Sequence, residues 1–152
     1  MATHVWSLIC RQPIVDAFTQ TLTIVEVLEE IQVGFESVGG PVTGPMPTAM
    51  IDMVIVSLWM RSGDEPEETR FRARFVSPSG KVVGETEQPI SLKDHQRARN
   101  LLHARRLPVP ESGTYRIEIQ EPTKAGRWRT VATLPLDVKV MPPTTTPASA
   151  PH

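Results

Sequence analysis

Apolar and polar residues alternate along much of the chain, with a repeat close to two. Within residues 70–75, Phe and Ala alternate with three arginines, and residues 115–120 place Tyr and two Ile between Arg, Glu and Gln. A repeat of two puts successive side chains on opposite faces of a β-strand, so both segments are predicted to be strands with one solvated face. Residues 4–10, 22–33 and 131–140 carry further apolar runs that predict strands.

Clusters of glycine and proline separate these segments. Short strands joined by such turns are typical of an antiparallel architecture. The sequence therefore predicts an all-β fold, an antiparallel two-sheet sandwich of about seven or eight strands with room for one short helix. The turn clusters are GGPVTGPMP (39–47), SGDEPEE (62–68), SPSG (77–80), PVPESG (108–113) and PTKAG (122–126).

The segment 91–106 admits two interpretations. It opens with Ser91 and Asp94 in the spacing of a helix cap, and strong helix formers follow. The apolar residues of 100–107 also fit a strand. We favour a strand over 100–107, with a short helix or a turn before it.

The segment 49–60 departs from the alternating pattern because both of its faces are apolar. A strand with one solvated face alternates apolar and polar residues. We therefore expect a helix, another segment of this chain or a second protein molecule to cover the outer face. The candidate interface on that face consists of Met50, Val54, Val56, Leu58 and Met60.

Two expectations follow for an interface of this kind. A charge introduced at Met50 or Val56 is expected to split an oligomer without unfolding the monomer. Trp128, which follows the turn at 122–126 and is flanked by arginines, is a further candidate anchor, since tryptophan is enriched among the residues that dominate binding. Packing of Trp128 over the end of the sandwich is the alternative.

The balance of charges bears on the class of partner. Of 152 residues, 16 are Lys or Arg and 17 are Asp or Glu, which gives a formal net charge of −1 at pH 7. Binding to nucleic acid or to an anionic membrane by charge needs a clear excess of basic residues, so we expect neither partner. The 15 prolines, about twice the usual share, argue against a helical bundle.

Cysteine usage and the chain ends suggest the compartment and the domain limits. Cys10 is the single cysteine, so no intrachain disulfide forms and a reducing cytoplasm is expected. The apolar run 5–10 is shorter than the core of a signal peptide. Residues 1–140 are predicted to form one domain, and the Pro-, Thr- and Ala-rich segment 141–152 a disordered tail.

The familiar catalytic and cofactor-binding motifs are absent from the sequence. It contains no phosphate-binding loop, no dinucleotide-binding glycine pattern, no nucleophile elbow and no His-Glu-x-x-His segment. The four histidines lack the spacing of metal ligands, and Cys10 has no partner cysteine. We therefore expect no metal, no cofactor and no enzymatic activity.

Arginine supplies the one candidate for a ligand site. Guanidinium groups bind phosphate and carboxylate through paired hydrogen bonds. Two groups of arginines are candidates, one at 70, 72 and 74 and one within 97–106. For both groups we favour a solvated face whose arginines pair with acidic neighbours. The alternative is a site for an anionic small molecule of unknown identity, formed by Arg97, Arg99, Arg105 and Arg106.

Two stretches of the chain carry a resemblance. The opening SLICRQPIVDAFTQTLTIVEVLEEI and the later LHARRLPVPESGTYRIEIQ, with the returning RTVATLPLDVKV, resemble a group of uncharacterised bacterial and phage-associated proteins known only as a domain of unknown function. Leu107, Pro110, Gly113 and Tyr115 also resemble the run into a late strand of immunoglobulin-like sandwiches. The resemblance implies a β-sandwich and no known activity.

The leading hypothesis from the sequence is a non-enzymatic β-sandwich that binds another protein or a second copy of itself. The doubly apolar segment 49–60 motivates it, because an uncovered apolar sheet face favours association.

Overall fold

The computed structural model describes residues 2–34 and 49–141. These residues form nine strands and no helix, so no helix within them could cross a membrane. The all-β prediction is confirmed, while the strand number exceeds the seven or eight expected. The strands are β1 (Ala2–Val15), β2 (Leu22–Val27), β3 (Glu30–Val33), β4 (Ala49–Arg61), β5 (Glu67–Val76), β6 (Val82–Leu92), β7 (Arg97–Val109), β8 (Gly113–Pro122) and β9 (Trp128–Val140).

The strands form two sheets. The first has four strands in the order β2-β1-β4-β7, and the second has five in the order β3-β9-β8-β5-β6. All of these pairs are antiparallel except β3 and β9, which run parallel. The expectation of purely antiparallel sheets is therefore wrong at this pair, because β3 joins the second sheet beside the last strand.

The segment 22–33, predicted as one strand, is two strands in different sheets. Leu28 lies at the break, where it is buried and its amide donates a hydrogen bond of 2.8 Å to the carbonyl of Ile9. This hydrogen bond holds the chain against β1 at Leu28, and the chain then crosses to the second sheet as β3.

The ambiguous segment 91–106 contains the end of β6 and most of β7. β6 ends at Leu92 and β7 begins at Arg97, with a bend between them. The strand interpretation of 100–107 is confirmed, and the preceding residues form a turn rather than a short helix.

The main hydrophobic cluster draws on both sheets. In β5 the residues that alternate with the arginines are buried, as the pattern at 70–75 predicts. Such side chains leave water together, which supplies the largest favourable contribution to folding. The bulkiest members include Ile55, Trp59 and Leu102 from the first sheet and Phe71, Ile117 and Leu136 from the second.

Two predicted segments fall outside the described residues. They are the turn at 39–47 and, apart from Met141, the tail at 141–152.

Candidate functional site

Both faces of β4 are covered by residues of this chain. Its inner face, with Met53, Ile55 and Trp59, belongs to the main cluster, which draws on both sheets. On the opposite face, which we call the outer face of the first sheet, Val54 and Val56 are buried in a second cluster. That cluster also contains buried Cys10, and five half-buried residues pack against it: Trp6, Leu8, Leu22, Ile24 and Leu101.

The cover over the outer face is a hairpin made of residues 11–15, the turn 16–21 and β2. β1 pairs with β4 as far as Cys10, and beyond it only with β2. Leu22 and Ile24 of β2 pack against the second cluster, which contains Val54 and Val56.

The hairpin folds back over the sheet rather than extending from it. Arg99 of β7 donates a hydrogen bond of 3.3 Å to the carbonyl of Gln20 in the hairpin turn. Arg99 pairs with Leu58, which pairs with Trp6. An unbent β1 would carry Val15 roughly 30 Å beyond Trp6 along the strand. Because Gln20, beyond Val15, contacts Arg99, which is level with Trp6, the hairpin must reverse across the outer face.

This geometry corrects the predicted interface. Val54 and Val56 are 6% and 0% exposed, so they cannot contact a second molecule without displacement of the hairpin. Leu58 and Met60 are half-buried on the same face, and Met50 is 46% exposed at the far end of the strand. A helix, another segment of this chain and a second protein molecule were the three possible covers for this face. At its centre the cover is another segment of this chain.

The hairpin turn is ordered by one carboxylate. Asp16 Oδ1 accepts hydrogen bonds from the amides of Phe18 (2.9 Å) and Thr19 (2.7 Å) and from the Thr19 hydroxyl (3.0 Å). These bonds lower the pKa of the Asp16 carboxyl, because they stabilise its charged form. Gln20 closes the turn with a positive φ of 57°. Phe18 stands on this turn with 97% of its surface exposed.

The outward face of the hairpin is also apolar. Ile14 pairs with Thr23, and Gln12 pairs with Val25. Directly opposed residues of an antiparallel pair share a face, and all four are exposed. Phe18 at the tip of the turn and Val27 at the end of β2, opposite Cys10, are exposed as well. The hairpin thus carries an apolar stripe of exposed residues, namely Ile14 (46%), Phe18 (97%), Val25 (37%) and Val27 (57%).

The apolar stripe contains none of the residues proposed from the sequence. The turn 16–21 has neither glycine nor proline, so it does not match the usual turn signals. One signal was present: Asp16 lies three residues before Thr19, the arrangement by which a carboxylate bonds the backbone of a turn. Apolar residues of both parities on either side, at 13–15 and 22–27, then indicate a hairpin with two apolar faces.

Trp128 is half-buried beneath arginine side chains of the second sheet. The guanidinium carbons of Arg72 and Arg70 lie 4.5 Å and 5.3 Å from the centre of its ring. Arg72 also donates from Nε (2.8 Å) and Nη2 (2.6 Å) to Oε1 of Gln120. Cation–π contacts with two arginines thus engage the ring within the chain, so Trp128 is not a free anchor.

The arginines of β5 are matched by acidic residues on the neighbouring strands. Arg70 lies 3.3 Å from Glu87, and Arg72 lies 3.3 Å from Glu85. Arg74 contacts Glu85 of β6 and Glu118 of β8, each at 3.5 Å. This is the paired solvated face that the sequence indicated.

The four arginines of the alternative site lie along β7 in two pairs. Strand geometry separates Arg99 from Arg105 by roughly 20 Å, which is too far for one small anion. Arg99 is engaged by the hairpin turn. The amide of Arg106 donates to Asp52 Oδ1 at 2.6 Å, at a bulge where Arg106 has a positive φ of 53°. The two pairs are Arg97 with Arg99 and Arg105 with Arg106, all exposed.

A polar chain lies at the other end of β1. His4 Nε2 shares a hydrogen bond of 2.8 Å with the Ser7 hydroxyl, which shares one of 2.8 Å with the buried hydroxyl of Ser57. A β-bulge between His4 and Trp6 redirects the side chains of this part of β1. The imidazole packs edge-on against Trp59, with the ring centres 5.1 Å apart.

A cleft of about 200 Å³ opens beside this chain. Buried Glu121 lies in its wall and forms an ion pair with Arg129 of the adjacent strand. Burial lowers the pKa of His4, and the negative charge of Glu121 opposes this effect in part. Among the described residues, no group of three or more His, Cys, Asp or Glu side chains could hold a metal ion.

The buried and exposed valines of this region provide a matched pair of variants. Val56→Asp places a charge in the second cluster and is expected to cost about 3 kcal/mol or more of unfolding free energy. Val25→Asp, on the outward face of the hairpin, is expected to cost about 1 kcal/mol or less. Both lose the same strand propensity, so the difference reports burial. Urea denaturation at low protein concentration measures it, and equal costs would contradict the fold-back of the hairpin.

The half-buried imidazole of His4 predicts a dependence of stability on pH. The pKa of His4 is lower in the folded chain than its ordinary value of 6.5. The contribution of the neutral imidazole to the free energy of unfolding is therefore fully present above that ordinary value. It declines as the pH falls through the ordinary value toward the folded one. His4→Gln keeps a partner for Ser7 but does not titrate. Between pH 7 and pH 5 the wild type should therefore lose more unfolding free energy than this variant.

Urea denaturation at several pH values tests this expectation. His103→Gln, at an exposed histidine on β7, is the matched control. Parallel profiles for the wild type and His4→Gln would refute the role given to the half-buried imidazole.

No protein-family model matches the chain, and no curated protein sequence matches it. The resemblance to uncharacterised bacterial and phage-associated proteins stays a prediction. The functional argument rests on the geometry of the described residues.

Proposed function

We propose that this protein is a non-enzymatic binding or assembly module that associates with protein through the apolar stripe of its hairpin. The observation that carries the proposal is the contrast between the two apolar faces of one hairpin. The inward face, with Leu22 and Ile24, packs on the second cluster. The outward face leaves Ile14 and Val25 in solvent, and Phe18 in the turn and Val27 at the end of β2 are exposed as well.

The exposure of the apolar stripe is large for a single element. Its four side chains present roughly 400 Å² of apolar surface, a size at which patches on soluble proteins are often functional. Single exposed apolar residues elsewhere, such as Val82 at 39%, are ordinary in comparison. Grouping on one ribbon distinguishes the apolar stripe from them.

The order of the hairpin turn supports the same reading. Backbone and side-chain bonds to Asp16 hold the turn, and none of them involves the aromatic ring of Phe18. The ring is therefore not needed for the turn itself. The turn holds the backbone at Phe18, so little main-chain entropy is lost when a partner covers the ring, which suits a binding anchor.

We also infer that the two sheets pack as a sandwich of the immunoglobulin-like type. In such sandwiches one sheet has neighbours A-B-E and the other G-F-C, extended by C′ in variable-type domains. The orders β1-β4-β7 and β9-β8-β5-β6 agree with these neighbours. The hydroxyl of Tyr115 in β8 donates to the carbonyl of Glu111 at 2.8 Å, like the tyrosine corner of strand F.

The described polar chain favours a structural role over a catalytic one. The side chains of His4, Ser7 and Ser57 form hydrogen bonds with one another. This arrangement satisfies the hydroxyl of Ser57, which is completely buried, and a buried hydroxyl without a partner would destabilise the fold.

Site-specific photo-crosslinking tests the proposed docking surface. A benzophenone amino acid in place of Phe18 should give covalent adducts with polypeptide, either a second copy or another protein of the native lysate. The same residue in place of Val82, exposed on β6 in the other sheet, is the control and should give few. Equal yields at the two positions, or no adduct at position 18, would overturn the proposal.

A further inference from the structure

We infer that the occupant of the apolar stripe is a second copy of this chain, packed face to face with the first about a two-fold axis so that the two hairpins run antiparallel. This inference rests on the proposed function, because it names the partner for the same surface. In such an isologous contact the same patch serves both subunits.

The shape of the surface suits self-pairing. Phe18 lies at one end of the hairpin and Val27 at the other, with Ile14 and Val25 between them. A two-fold axis through the middle of the ribbon brings each Phe18 over the partner's end of the ribbon, near the Val27 position. The polar residues Gln12 and Thr23 on the same face then lie within or beside the contact.

The area is sufficient for a dimer of modest affinity. Two copies of the apolar stripe bury roughly 800 Å² of apolar surface between them, and the polar borders of the hairpin bring the total near the roughly 1,200 Å² at which specific interfaces begin. A contact at this lower limit implies a dimer that dissociates on dilution.

The charges at the two ends of the hairpin are complementary in this arrangement. Arg97 and Arg99 lie at the tip end, where Arg99 contacts the turn, and Glu29 and Glu30 follow β2 at the base. Antiparallel packing places the basic tip of one copy against the acidic base of the other. Complementary potentials of this kind favour one register and raise the association rate.

The remaining charges of the hairpin are already engaged within the chain. Asp16 accepts three hydrogen bonds from its own turn. Arg11 donates to Glu26 at 2.6 Å. Within the described residues, no ion pair engages Arg97, Glu29 or Glu30.

Packing through the face is favoured over extension of the sheet at its edge. β2 is the edge strand of the first sheet, but Glu26 has a positive φ of 54° within it. Such an irregularity disturbs the row of hydrogen-bonding groups that a neighbouring strand would need. The second copy therefore covers the side chains of the hairpin rather than its backbone edge.

Sedimentation velocity over a range of concentrations tests the dimer. The wild type is expected to shift from 16.9 kDa toward twice that mass as the concentration rises. Val25→Glu and Phe18→Ser should each raise the dissociation constant at least tenfold, while Val82→Glu, on the other sheet, should leave it unchanged. A wild type that remains monomeric up to millimolar concentration overturns the inference, as does an unchanged dimer in both stripe variants.

A mixing experiment tests the antiparallel arrangement. Arg97→Glu cancels the net positive charge of the tip, because Arg99 remains, and Glu29→Lys cancels the net negative charge of the base, because Glu30 remains. Each variant alone should dimerise several-fold more weakly than the wild type, and an equimolar mixture should recover as a heterodimer. Failure of the mixture to recover overturns the antiparallel packing.

The outcomes separate this inference from the proposed function. A monomeric protein whose position 18 crosslinks to a different polypeptide overturns self-association and leaves the docking surface in place. A monomeric protein without crosslinks at position 18 overturns both.

Discussion

The fold-back of the β1–β2 hairpin over the outer face of the first sheet is the contact on which the architecture depends. Val56 and Cys10 are completely buried beneath it, although they lie on the side of the sheet away from the main core. Removing apolar surface from water stabilises the fold by roughly 25 cal/mol per Å². The hairpin thus allows β4 to be apolar on both faces while the centre of each stays buried, and the hairpin itself carries exposed apolar residues on its outward side.

This transfer links the fold to the proposed role. A hairpin that only covered the sheet could carry polar residues outward, as Gln12 and Thr23 do. Phe18, Val25 and Val27 are instead apolar and exposed. The hydrogen bonds that hold the turn use none of their side chains. We therefore propose two layers of burial, one within the chain and one between two copies of it.

The sequence predicted the all-β class and the unusual strand, and it failed where distant residues decide the outcome. Alternation around 70–75 predicts which side chains face the core because the strand repeat is local. The parallel pairing of β3 with β9 and the reversal of the hairpin join residues far apart, as in the bond from Arg99 to Gln20. Neither follows from a local pattern. Val56 was therefore assigned to an interface when it belongs to an internal cluster.

Isotope-filtered nuclear Overhauser spectroscopy on a mixture of labelled and unlabelled protein tests the two-layer account most directly. The account predicts contacts within one chain between the methyl groups of Ile24 and Val56, and contacts between chains from the Phe18 ring to the methyl groups of Val27. If Ile24 shows no contact with Val56, or if the Phe18 ring shows no contact between chains, the corresponding layer of burial does not exist.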